Sequence, residues 1–190
     1  MENASYKTIA PHDYGRVLSF NPLKTGKNMK KVPDMEKPAG QSESFDLTYH
    51  DGHQRRVYVT DAQFYLTNTM MIFSRTDTAG FITDVNIPFI EASGWEKEEL
   101  IGQPHYILRH PHMPSSAFED LWSTVQAGKQ WTGCVKNLRK DGGYYWVRAV
   151  VSPIVEGDKI IGYNSVRRRI DNATIKEHEA LYAQLRAAEL

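Results

Sequence analysis

Apolar and polar residues alternate with two different periods along this chain, and the changes of period mark most of its elements. In F-D-L-T-Y-H-D-G-H-Q-R-R-V-Y-V, Phe45, Leu47 and Tyr49 recur at every second position before Asp51-Gly52, and Val57 and Val59 do so after it. Asp-Gly accepts the positive φ angles of a tight turn, so a hairpin is predicted near residues 45–60. From Met70, M-M-I-F-S-R predicts a strand, T-D-T-A-G a turn and F-I-T-D-V-N a returning strand. Helical signals follow: Pro88 suits a first turn, Gly94 a terminus, and Ser93 with Glu96 predicts a capping box for E-K-E-E-L. In S-S-A-F-E-D-L-W-S-T-V-Q-A-G, Phe118, Leu121, Trp122 and Val125 fall at i, i+3, i+4 and i+7. That spacing predicts a helix with one buried face, capped by Ser115 or Ser116 and ended by Gly128.

The period then returns to two. W-T-G-C-V-K-N-L-R, Y-Y-W-V-R-A-V-V-S-P-I-V and K-I-I-G-Y-N-S-V-R-R-R predict successive strands, joined through K-D-G-G and E-G-D. The order strand, strand, short helices, longer helix and strands predicts an α+β domain. Its core is one twisted antiparallel sheet of about five strands, with the short helices on one face and room for a cavity between. A last helix carries the apolar stripe Ile175, Leu181, Tyr182 and Leu185. Residues 1–44, mixed in Pro, Gly, Lys, Asn and Ser, hold no sustained period and read as an extended arm. The expected organisation is an N-terminal extension over 1–69, a sheet domain over 70–170 and an amphipathic helix over 171–190.

Composition narrows the partners. Apolar residues are 41% and charged residues 24% of the 190, the balance of a folded globular chain. Acidic and basic residues match at 23 each, so no global positive field exists to gather nucleic acid or an anionic membrane. The single cysteine, Cys134, excludes an internal disulfide and a multi-thiolate zinc site, and fits a reducing cytoplasm. No apolar run approaches the roughly 20 residues of a membrane helix, and Met1–Ala10 lacks a signal-peptide core. The seven histidines show no chelating pattern: His110 and His112 diverge if extended, and His50 and His53 flank a turn. No nucleophile elbow, phosphate-binding glycine loop or Cys/His pair suggests an enzyme.

N-I-P-F-I-E-A-S-G-W, E-E-L-I-G-Q-P-H, R-H-P-H-M-P, W-T-G-C-V-K-N-L-R-K-D-G and Y-Y-W-V-R-A, in this order, closely resemble the PAS domain of aerotaxis receptors over residues 70–187. The resemblance implies a PAS fold that binds FAD and reports redox state to chemotaxis machinery. The implied partner is a chemotaxis-type transducer or another signalling protein, with a homodimer as a further option. Where the family has an acidic residue after R-H-P, this chain has His112. No membrane anchor, HAMP module or methyl-accepting coiled coil follows, so the expectation is a sensor that acts through a partner.

For a flavin, Asn137 is the leading candidate, because a carboxamide matches the alternating donors and acceptors of the ring's pyrimidine edge. By strand parity Trp131, Gly133, Val135 and Asn137 share a face, and Cys134 points away from it. Arg109 and His110, in a loop stiffened by Pro111 and Pro114, are the cations available for the FAD pyrophosphate. Trp122, Tyr163 and Asn86 are secondary candidates, Asn86 being equally suited to cap the helix that begins near Pro88. Two other readings stay open: a cofactor-free interaction module, and a haem sensor using His110 or His105.

Overall fold

The computed structural model of the protein describes residues 32–189. An N-terminal hairpin is formed by β1 (Glu43–Thr48) and β2 (Gln54–Val59), paired from Glu43↔Val59 to Thr48↔Gln54. Its turn passes through Gly52 at φ 79, a left-handed conformation that disfavours any side chain with a Cβ. The main sheet contains β3 (Met71–Thr76), β4 (Ile82–Val85), β5 (Trp131–Leu138), β6 (Tyr144–Glu156) and β7 (Lys159–Arg168). Its order is β4-β3-β7-β6-β5, and all neighbours are antiparallel.

Between β4 and β5 lie α1 (Ile87–Ser93), α2 (Lys97–Leu100), a 3-10 turn (His105–Leu108) and α3 (Ser115–Gln126). All four cover one face of the sheet, here the inner face. Pro88 occupies the first turn of α1, and Gly94 closes it at φ 72. Two caps differ from the sequence reading. The box at α2 is built by Glu99, whose carboxylate accepts from Glu96 N–H at 3.0 Å, while Ser93 Oγ accepts from Trp95 N–H. At α3 neither serine side chain caps the helix. The N–H groups of Ser115 and Ser116 donate to the Glu189 carboxylate at 3.0 and 2.9 Å, an acceptor 73 or more residues away that local sequence could not supply.

The last helix, α4 (Asn172–Ala188), crosses the opposite, outer face. Asp171 caps it by accepting from Thr174 N–H at 2.8 Å. Tyr182 stacks on Trp146 at 6.0 Å and donates to the Cys134 carbonyl at 2.6 Å, and Glu179 pairs with Lys136 at 3.8 Å. With both faces covered, β5 is buried without interruption from Cys134 to Leu138, and β6 from Tyr145 to Val147.

The segment before β3 is not a detached arm within the described residues. Met35 N–H donates to Arg56 O at 3.0 Å, and Met35, Val57 and Val59 share a small core with Leu138 at the end of β5. Phe64 N–H donates to Tyr144 O at 2.8 Å, and Leu66 enters the main core. Arg55, 1% exposed, ties the hairpin down: Nε donates to Pro33 O and Nη1 to Ile107 O, both at 2.8 Å. Tyr49 stacks on Tyr106 at 4.0 Å beside it. The remainder of the expected arm, residues 1–31, lies outside the described residues.

Removal of the Arg55 side chain leaves a cavity and strands the Ile107 carbonyl away from water. Arg55→Ala is expected to lower unfolding free energy by about 2–4 kcal/mol. Urea titration followed by tryptophan fluorescence measures this, and an unchanged midpoint would show that the hairpin contributes nothing to the domain.

Candidate functional site

Register fixes which side chains share the inner face. The pairs Asn137↔Tyr145, Val135↔Val147, Gly133↔Ala149 and Trp131↔Val151 link β5 to β6 without a bulge. Ala149↔Arg167 and Ile72↔Arg167, then Ser74↔Ser165 and Thr76↔Tyr163, continue the same face across β7 and β3. A Cβ at Gly133 would collide with the Trp131 indole, so glycine there is what lets the ring lie flat along the sheet. The indole Nε1 donates to Asp120 at 2.7 Å and fastens α3 to β5. Trp122 of α3 meets Tyr163 edge to face at 5.4 Å.

Arg167 sits in the middle of this face, 4% exposed. Its Nη2 donates to Ser74 Oγ at 3.1 Å and to His105 Nε2 at 2.7 Å, and the guanidinium stands 5.4 Å from the Phe89 ring. Nη1 has no protein partner. Burial pulls its pKa down to about 10, so it remains cationic at neutral pH. Burial, reinforced by the Arg167 charge, lowers His105 to about 3. The imidazole is therefore neutral, with Nε2 free to accept and the proton on Nδ1. Around this cation the inner-face atoms Asn137 Nδ2, Tyr145 Oη, Ser165 Oγ and Thr76 Oγ1 are buried without a protein partner. Each such group costs about 1–3 kcal/mol when unsatisfied, and four of them share this face.

Among the residues singled out from sequence, Asn137, Trp131, Trp122 and Tyr163 come together on the inner face. Arg109 pairs through its backbone with Asn137 at the free edge of β5, while its guanidinium donates to Ser115 Oγ at 2.9 Å over the Phe118 ring. His110 diverges from it. Its buried imidazole lies edge-on to Tyr144 at 5.9 Å, and burial together with the Lys136 charge lowers it to about 2. Lys136 and Tyr144 belong to the outer parity, so the chain turns His110 away from Asn137. His112 faces the same way and lines a cavity of about 130 Å³ under α4 with Lys136, Trp146, Glu179, Tyr182 and Arg186. Asn86 is used as a cap: Oδ1 accepts from Phe89 N–H at 3.2 Å and Phe73 N–H at 3.0 Å, and Nδ2 donates to Met71 O at 2.8 Å. Arg167, Tyr145 and Ser165 were missed. Parity within Y-N-S-V-R marks Tyr163, Ser165 and Arg167 as one row, but the R-R-R run that follows Val166 reads as a solvated strand end. Among the described residues no group of three or more His, Cys, Asp or Glu side chains could hold a metal ion.

A family model described as PAS fold matches residues 82–167. The domain has the PAS fold, a five-stranded antiparallel sheet with flanking helices. In sequence it is similar to the aerotaxis receptor of Escherichia coli strain K12, at 45% identity over 130 residues, 68% of this chain and 26% of the receptor. The biofilm dispersion protein BdlA of Pseudomonas aeruginosa is 28% identical over 108 residues, 54% of this chain and 25% of that protein. The chain thus spans about a quarter of the length of these two relatives. In fold it is similar to the light-state structure of the blue-light photoreceptor Aureochrome1 LOV, with a TM-score of 0.52 and 19% identity over 60% of this chain and 88% of that one. No helix among the described residues is long and apolar enough to cross a membrane.

Two outcomes follow from the geometry. His105 and His110 have folded pKa values below the ordinary 6.5, so their contribution to stability is complete above pH 6.5 and is lost as pH falls toward about 3. The slope is up to about 1.4 kcal/mol per pH unit for each ring. Urea titrations across this window should steepen accordingly, and His105→Gln, which keeps an acceptor near Arg167, should flatten the slope by about one proton; an identical slope would contradict a neutral buried His105. Second, Cys134 lies on the outer parity, and burial raises its thiol pKa. Illumination of protein supplied with a flavin should give no reversible bleaching that Cys134→Ala abolishes, as followed by absorbance.

Proposed function

We propose that the protein is a PAS sensor that binds FAD on the inner face of its sheet and relays redox state to a signalling partner. The single observation that carries this reading is the row of buried polar atoms without protein partners, Asn137, Tyr145, Ser165 and Arg167, on the face that the α1–α3 layer covers. Their chemistry fits a flavin: a carboxamide for the alternating donors and acceptors of the pyrimidine edge, a cation and hydroxyls for carbonyl oxygens, and Trp131, Trp122 and Tyr163 for an aromatic face. FAD supplies reversible electron acceptance when bound. The chain's residues orient it, exclude water and fix the charge around it. Arg109, at the sheet edge beside Asn137, supplies the cation for the pyrophosphate in this reading. His110, turned to the outer side, serves instead to pack the loop that holds Arg109.

The role is binding and signalling, not turnover. Similarity to the aerotaxis receptor supports a chemotaxis-type transducer or a related signalling protein as partner, in the cytoplasm. A homodimer through the outer elements is compatible with the same role. Haem fits less well. His105 Nε2 already accepts from Arg167, and a fixed cation at 2.7 Å from that nitrogen opposes iron there.

The protein purified from a flavin-producing host is expected to be yellow and to release FAD, not FMN, on acid precipitation and chromatography. Asn137→Ala should weaken FAD about tenfold or more, the loss of one buried amide pairing. Recovery of FMN alone, a Soret band, or folded protein that neither retains nor rebinds flavin would overturn the assignment.

A further inference from the structure

The outer face holds a second group of buried donors, remote in character from the inner site. The cavity of about 130 Å³ under α4 takes Lys136 and Trp146 from the sheet, Glu179 and Arg186 from the helix, and His112 from the loop before α3. At roughly 30 Å³ per water it has room for about four waters or one small polyatomic ion, and for no peptide segment. Its lining is rich in donors and poor in acceptors. Lys136 is 7% exposed, and its Nζ has one carboxylate partner, Glu179, at a loose 3.8 Å. The Tyr144 ring at 4.0 Å and the Trp146 ring at 5.9 Å offer it only π faces. Trp146 is 3% exposed with its Nε1 donor unpartnered, and the Nε of Arg186 is buried without a partner as well. Beside the cavity, His110 Nδ1 accepts from His112 N–H at 3.0 Å. That bond puts the proton of the neutral ring on Nε2, a third buried donor without a partner.

The charges here are unbalanced. Burial together with the Lys136 and Arg186 charges holds His112 at about 4 and His110 at about 2, so both imidazoles are neutral at pH 7. Burial also lowers the Lys136 pKa, and the Arg186 charge adds to this against the pull of Glu179. Two cations therefore share one lining carboxylate, whose side chain is 44% exposed. Orphaned atoms on the inner face mix hydroxyls with N–H groups, whereas the three here are all N–H donors. A desolvated ammonium and buried N–H groups are unfavourable until acceptors and negative charge meet them.

We propose that this cavity binds a small tetrahedral oxyanion, of the size and charge of phosphate or sulfate, between Lys136 of β5 and Arg186 of α4, with Trp146 as a neutral donor. Such an ion presents acceptors on several sides at once, which is what the separate donors lack. Glu179 is its competitor. The half-exposed carboxylate turns to solvent when the oxyanion takes its place at Lys136. Because one cation belongs to the sheet and the other to α4, the bound ion joins them and holds the helix on the outer face. Anion concentration then sets how firmly α4 is docked. None of this depends on what the inner face binds.

The full chain is titrated with sodium phosphate at an ionic strength held constant with sodium chloride. Heat of binding, melting temperature and hydrogen exchange of the α4 amides are followed. Saturable binding is expected, with melting about 3 °C higher at ten times the Kd and slower exchange along α4. Sulfate should bind comparably, while acetate, with one charge and two acceptor atoms, should bind at least about tenfold more weakly. Arg186→Gln should weaken phosphate at least about tenfold, whereas Glu179→Gln, which removes the competitor, should strengthen it about threefold or more. Excess FAD should leave phosphate binding unchanged. Absence of saturable binding to wild type overturns the site, as does unchanged affinity in Arg186→Gln, weaker binding in Glu179→Gln, or α4 exchange that does not slow. Displacement of phosphate by FAD would put the ion on the inner face and overturn it too. Acetate as tight as phosphate overturns the tetrahedral ion.

Discussion

The structure depends on a stretch of sheet that has no solvent face, Cys134–Leu138 of β5 beside Tyr145–Val147 of β6. The α1–α3 layer covers one side and α4 the other, so consecutive residues of β5 and β6 are buried whichever way they point. Apolar residues satisfy that constraint by packing, as Ile72, Val147 and Ala149 do. Polar residues under the same constraint must find hydrogen-bond partners or carry a penalty. On the outer face Lys136 lies 4.0 Å from the Tyr144 ring and pairs with Glu179, and Tyr182 reaches a backbone carbonyl, while Trp146 Nε1 and His110 Nε2 go unpartnered. On the inner face Arg167 Nη1, Asn137 Nδ2, Tyr145 Oη and Ser165 Oγ go unpartnered in one row.

The same constraint explains the long-range fastenings. Glu189, at the end of α4, caps α3 through Ser115 and Ser116, beside the hydroxyl that accepts from Arg109. The helix on the outer face is thereby joined to the loop that borders the inner site. Electrostatics adds to the link, since the Glu189 carboxylate is held below its ordinary range mainly by those helix N–H donors, against the opposing effect of burial. Those bonds tie the end of α4 directly to the start of α3, next to the 109–114 loop.

The strands, the main helices and the Asp51-Gly52 turn were legible in the sequence because each is set by contacts within a few residues: alternation, the i, i+3, i+4 spacing, and glycine at positive φ. Parity alone placed Trp131 and Asn137 together and Cys134 apart, and the unbroken β5–β6 register keeps that relation. The motif resemblance carried the PAS assignment, which pattern alone would have left at an α+β sheet.

Partners distant in sequence were not legible. Ser115 and Ser116 look like caps, and only the packed chain shows that Glu189 displaces them. Arg109 and His110 are neighbours in a cationic loop, yet backbone pairing at the edge of β5 sends one toward α3 and the other toward Lys136. Arg167 reads as one more charge in a basic strand end until β3, β6 and the 105–108 turn close around it. Sequence by itself determined which elements form and which residues share a strand face, because those follow from local periodicity. Only tertiary structure decided which face is dry and which polar atoms lack partners there, because burial and hydrogen-bond satisfaction depend on every element packed against the sheet.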